Sequence, residues 1–246
     1  SRTVGADKAY IRVGGESYQM SRNADGVVTL YLDDIEENVT VSGRAYYSRD
    51  SVKPTGTVKL NTSSRIAFLN GYADGTFRPE ANMTRAEAVV MLYRLSDVEN
   101  VSNTGDIFID VPYNMWCAGE INAFANAGII DVTSYFHPNQ YITRAEFVEM
   151  LYRLMGSPSY SRGTLRFSDV TGATNEDAIY YAVSRGWVNG YADGTFRPFS
   201  YIARSEVAAL MTRLLNRTSG GSGVSYKDVP YTYWAYRYIQ LASSYI

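Results

Sequence analysis

Apolar residues recur at helical spacing in three places along the chain. Ala88, Met91, Leu92 and Leu95 fall at i, i+3, i+4 and i+7. Phe147, Met150, Leu151 and Leu154 repeat the set, as do Val207, Leu210, Met211 and Leu214. Each set is one stripe of an α-helix. Shorter amphipathic runs precede the second and third stripes, through Ile121 and Phe124 and through Ile179 and Ala182. A further such run, through Ile239 and Ala242, closes the chain. Three long stripes predict three helices meeting in a central bundle, with methionines and aromatics as core. Residues 1–60 differ. Period-two alternation around Ala9–Val13, Ser17–Ser21, Val27–Leu32 and Asn38–Tyr46, broken by Gly14-Gly15 and Asn23-Ala24-Asp25-Gly26, predicts a small antiparallel β unit. It is either complete or the end of a larger, Ig-like β domain. Ser51–Ser64 reads as the linker.

The stripes sit inside a repeated stretch. Gly71–Leu95, GYADGTFRPEANMTRAEAVVMLYRL, returns as GYADGTFRPFSYIARSEVAALMTRL at Gly190–Leu214, with a weaker copy at Ile130–Leu154. Arg85 to Arg144 spans 59 positions and Arg144 to Arg204 spans 60, a period that marks packed repeat units. Asp110-Val111-Pro112, Asp169-Val170 and Asp228-Val229-Pro230 introduce the short helices. Asp169 to Trp187 is 18 positions, and Asp228 to Ile246 is also 18. One repeat is therefore cut in two, its first half at the C-terminal side and its second half beside Phe68, and the expectation is a ring of three units. The boundaries are 1–60 for the β unit and 61–246 for the ring, with repeats at 106–155 and 167–216 and a split repeat at 65–96 plus 226–246. Thr218–Gly223, TSGGSG, reads as a flexible linker before the last helix.

Thr84-Arg85-Ala86-Glu87 has the spacing of a capping box, and Thr143 with Glu146 repeats it. Ala203 replaces the threonine in the third copy and leaves Glu206 alone, which weakens that helix start by about 1 kcal/mol. The arginines are less easily explained. Arg85, Arg144 and Arg204 place a cation at the positive end of a helix. An anion beside each, held by guanidinium and free helix N–H groups, resolves the conflict. It is either an internal carboxylate such as Asp74 or Asp193, or an acidic ligand. In GYADGTFRP the Asp-Gly pair supplies a positive-φ turn, the first glycine allows a close approach, and Pro79 and Pro198 fix the exit. Gly128–Phe136 is two residues shorter than Gly186–Phe196, and His137 stands where Arg78 and Arg197 stand. A site built from that loop is expected to be weaker or differently selective.

Composition narrows the classes. A net charge of −2 without a basic stripe argues against nucleic-acid binding. No run of about 18 apolar residues argues against a membrane span, and the missing leader fits a mature chain or an expressed fragment. Twenty-two tyrosines suit polar or sugar-like contacts. One cysteine, Cys117, and one histidine, His137, give no disulfide, triad or metal set, and no cofactor is expected. Among the capping glutamates and the turn aspartates Asp74 and Asp193 no pair of glycosidase carboxylates emerges, and the chain is not expected to be an enzyme.

The ordered set DVP…W, GYADGTFRP and TRAE, at intervals of 55–60 residues from Phe68 to Ile246, resembles the S-layer homology (SLH) family. The resemblance implies a mainly α fold, a pseudo-threefold spindle of helix–loop–helix units around a three-helix bundle, here behind the small β-rich N-terminal domain. It implies a secreted module that anchors proteins non-covalently to the bacterial cell wall. The ligand would be an acidic secondary cell-wall polysaccharide, pyruvylated, bound in grooves between units. Carried over, Arg85, Arg144 and Arg204 contact the acid, Asp74, Gly75, Asp193 and Gly194 shape the groove, and Trp116 and Trp234 supply aromatics. The alternative is a structural S-layer subunit acting through protein–protein contacts with surface-layer neighbours.

Overall fold

The computed structural model describes residues 60–62, 66–99, 107–160, 166–170, 175–220 and 224–244, together with the backbones of three strands. The strands are β1 (Lys8–Val13), β2 (Glu16–Met20) and β3 (Ser42–Tyr46), in an antiparallel sheet of order β2-β1-β3. The predicted Val27–Leu32 segment, most of Ser51–Ser64 and Gly221–Gly223 lie outside the described residues.

Beyond the strands the fold is helical. It comprises α1 (Arg85–Arg94), α2 (Ala118–Asn126), α3 (Arg144–Leu154), α4 (Glu176–Ser184), α5 (Arg204–Leu214) and α6 (Tyr236–Ala242). All three long-helix stripes are buried, down to Ala88, Leu92, Phe147, Leu151, Val207 and Met211 at 0% exposure. Each fully buried apolar side chain of this size contributes about 1.5–3 kcal/mol. Each long helix lies against the short helix of the next unit: α1 on α2, α3 on α4, α5 on α6. The long helices are joined instead just ahead of their first turns, by a cycle of backbone bonds. Ile142 N–H donates to Met83 O (2.9 Å), Ile202 N–H to Ile142 O (3.1 Å) and Met83 N–H to Ile202 O (3.2 Å). These bonds need main chain rather than side chain, so side-chain periodicity does not reveal them.

The stretch from Ile66 to Gly75 is bonded to the segment around α6. Phe68 and Leu69 N–H groups donate to Ala242 O, and Lys227 N–H to Gly75 O. Arg217 donates to Leu241 O and Ile66 O while lying 4.9 Å from the Phe68 ring centre. The first glycine of the motif has its expected role. A Cβ on Gly71 would sit 2.1 Å from the Tyr226 ring, and one on Gly190 would sit 2.1 Å from Phe167. The aromatic two residues before each unit's aspartate packs on the loop phenylalanine: Tyr226 on Phe77, Phe108 on Phe136, Phe167 on Phe196.

Candidate functional site

Arg85, Arg144 and Arg204 lie at three seams, each where a long helix starts against the loop of another repeat. The helix starts are tightly bonded. Thr84 and Thr143 have extended backbones, and their hydroxyls accept from the N–H groups of Glu87 and Glu146. Each glutamate's Oε2 accepts in return from the threonine N–H at 2.8 Å. Ala203 keeps the extended backbone, and Glu206 keeps half of the box by accepting Ala203 N–H at 2.9 Å. Two further first-turn donors of each helix are taken. Arg85, Arg144 and Arg204 N–H groups donate to Gln140, Ser200 and Ala81 carbonyls, and the next residue's N–H donates to Pro138, Pro198 and Pro79. This corrects the expectation of free N–H groups at the starts of α1 and α3. At α5, where Ala203 offers no hydroxyl, Glu206 N–H has no acceptor among the described residues.

The guanidiniums share one frame. Nε of Arg85, Arg144 and Arg204 donates to Phe136, Phe196 and Phe77 carbonyls. Each guanidinium carbon lies 4.7–4.8 Å from that phenylalanine's ring centre. From there the seams diverge. Arg85 Nη1 meets Glu146 Oε1 at 2.5 Å, and Arg144 Nη1 meets Glu206 Oε1 at 2.5 Å. Arg204 makes no ion pair among the described residues, Glu87 included. The internal carboxylate is therefore the capping glutamate of the next unit, not Asp74 or Asp193. Those two are engaged within their own loops. Each accepts the hydroxyl of Thr76 or Thr195 at 2.6 Å and the guanidinium of Arg78 or Arg197 at 2.9–3.0 Å. The threonine bonds and the arginine hold both carboxyls at a pKa of about 2. Gly75 and Gly194 adopt the expected positive φ, 81° and 80°.

Accessibility separates the seams again. Arg144 and Arg204 are buried, and their Nη2 groups donate to Asn189 O (3.2 Å) and Asn70 O (2.7 Å). Tyr191 is clamped between Arg197 and Arg144, and Tyr72 between Arg78 and Arg204, at 3.9 and 5.1 Å to the guanidinium carbons. Arg85 is the more exposed one, and its Nη2 has no protein partner among the described residues. Beside it the shortened loop leaves a shallow cleft of about 410 Å³, with Tyr135, His137 and Glu146 in its wall. Trp116 and Trp234 are 64% and 55% exposed. Trp234 packs beside Tyr233 and Tyr238. Trp116 is not in the wall of the cleft. Cys117 is buried ahead of α2, where burial pushes its thiol pKa up.

Two features are absent from the motif reading. The aspartates ahead of the short helices each grip a loop: Asp228 accepts from Phe77 and Arg78 N–H, Asp110 from Phe136 and His137, Asp169 from Phe196 and Arg197, all at 2.7–2.8 Å. Arg78, His137 and Arg197 have φ of 56–60°, a conformation that costs a non-glycine residue about 1–2 kcal/mol. The two carboxylate bonds hold it in place. Their threefold recurrence at fixed spacing was the available signal.

The family model of the S-layer homology domain matches residues 67–89, 110–148 and 166–208. Through these segments the chain belongs to the S-layer homology family. It is 35% identical over 69% of its length to the cell surface glycoprotein 1 of Acetivibrio thermocellus, of which it spans 8%. It is 35% identical over 72% to the cellulosome-anchoring protein of the same organism, of which it spans 42%. It is 30% identical over 61% to an amylopullulanase of Thermoanaerobacterium thermosulfurigenes, of which it spans 8%. The chain thus spans less than half the length of each. Among the described residues no helix is long and apolar enough to cross a membrane.

Proposed function

We propose that residues 61–246 form a cell-surface anchoring module that binds an acidic secondary polysaccharide of the bacterial wall at the seams between its three units. We read the arrangement as a pseudo-threefold spindle, with 65–96 and 226–246 as one divided unit. Cell-surface and anchoring relatives support the location. The observation that carries the acid preference is Arg204, a cation at a helix start with no carboxylate partner among the described residues. A sugar carboxylate, such as a pyruvate ketal, supplies the missing charge. A match to an enzyme of which the chain spans 8% fits an accessory module carried by proteins of varied activity. The module itself is non-catalytic in this reading.

Cosedimentation with purified cell wall tests it. The folded chain should pellet with intact wall and stay in solution with wall stripped of its secondary polysaccharide. Arg204→Gln should weaken pelleting while leaving the melting temperature within a few degrees. Equal pelleting on stripped wall would overturn the proposal.

A further inference from the structure

We propose that the cleft at Arg85 is a neutral-sugar subsite, taking an uncharged hexose or N-acetylhexosamine ring of the same polymer. This rests on the anchoring reading and assigns the three seams different ligand chemistry.

Charge is the first ground. Arg85 is already matched by Glu146 at 2.5 Å. His137 has Nδ1 3.8 Å from Asp110 Oδ2, and both Asp110 oxygens accept backbone N–H groups. The charged and titratable groups around the cleft are thus Arg85, Glu146, His137, Asp110 and the Tyr135 phenol. An incoming carboxylate would compete with Glu146 for one guanidinium and face that acid's own charge. An uncharged ring meets no such conflict.

Hydrogen-bonding capacity is the second. Arg85 and Glu146 set a donor and an acceptor side by side, and Arg85 Nη2 adds an unused donor on the same wall. The Gln140 amide stands beside them. A sugar's neighbouring hydroxyls each donate and accept, which matches such a pair in a way that a single carboxylate does not.

The third ground is an aromatic surface that the other loops lack. Tyr135 stands before Phe136, where Thr76 and Thr195 stand before Phe77 and Phe196. It is 48% exposed and stacks on His137 at 17° with ring centres 5.8 Å apart. The tyrosines of the other two loops are roofed by Arg78 and Arg197 at 3.9 Å. The two-residue deletion and the histidine remove that roof. A flat ring with a polar edge suits the C–H face of a sugar, and about 410 Å³ lies at the lower end of small-molecule sites.

His137 is the chain's single histidine, so its imidazole resonances report on this cleft alone. The whole chain is titrated with methyl N-acetylglucosaminide and, separately, with its 4,6-pyruvate ketal, at pH 7.5. The neutral glycoside should move the His137 resonances saturably and at lower concentration than the ketal. Tyr135→Ala, a surface change, should weaken that binding by about three- to tenfold, the worth of one aromatic contact, without changing the melting temperature. Movement by the ketal alone, or equal response in Tyr135→Ala, overturns the subsite. A chain that pellets with wall while the neutral glycoside leaves His137 unmoved refutes the subsite and leaves anchoring intact. A chain that does not pellet refutes both.

Discussion

The seams at Arg85 and Arg204 share an arginine at a helix start and a loop phenylalanine beneath it, yet they differ in charge balance. In one, a capping glutamate reaches across to the guanidinium and the loop recedes. In the other, Glu87 caps its own helix, and the loop covers most of a guanidinium that meets no carboxylate among the described residues. The Arg144 seam is intermediate, matched by Glu206 but covered. A repeated motif therefore fixes where an arginine stands and not how much of its charge is left over. That remainder depends on a carboxylate oxygen one unit away and on two residues of loop length.

Glutamate-to-glutamine changes give the widest separation of the seams, because glutamine can keep the cap while losing the charge. Glu206→Gln should cost most, about 2 kcal/mol, since Arg144 is buried and loses its counter-charge. Glu146→Gln should cost about 1 kcal/mol, its partner Arg85 being partly hydrated. Glu87→Gln should cost only about 0.3–0.5 kcal/mol, the helix-dipole contribution alone. Urea unfolding of the three variants checks the order, and equal costs would dissolve the comparison.

A gain should follow in the helix start that lacks its hydroxyl. Ala203 has φ −81° and ψ 153°, against −80° and 160° for Thr84. Ala203→Thr should therefore add about 1 kcal/mol by completing the box with Glu206. A melting temperature that does not rise would show that the threonine is not what the first two helices gain from.

Acid should distinguish the loops more gently. The Asp74 and Asp193 carboxyls sit at about 2, below the ordinary 3.8, because of the Thr76 and Thr195 bonds and the arginines. A depressed pKa means that their contribution is complete above about pH 4 and is lost as pH falls through 2. The Thr76 and Thr195 amide resonances should titrate in that window. The Gly128–Phe136 loop has no Asp-Gly-Thr turn and should show no such step.

Much of this was legible beforehand. The three stripes, the capping boxes and the Gly71 and Gly75 roles all depend on residues close in sequence or on a fixed period. Two things were not. Which acid meets Arg85 depends on Oε1 of Glu146, an atom left over after the cap is made, and its direction is set by packing between units. The left-handed backbone of Arg78, His137 and Arg197 carries no glycine to announce it, and only the Asp228, Asp110 and Asp169 grips explain it. The shortened loop was expected to make a weaker or differently selective site, and it makes the open one.

Contacts between residues more than 150 positions apart also constrain the order of events during synthesis. Phe77 and Arg78 wait for Asp228, 151 and 150 positions downstream, and Gly71 waits for Tyr226, 155 positions downstream. Until the last helix emerges, the earliest loop has neither its aspartate nor its aromatic lid, and Met83 cannot reach Ile202 before α5 exists. Contacts of such separation form slowly. A ribosome-stalled chain halted before residue 226 should therefore remain protease-sensitive around Phe77.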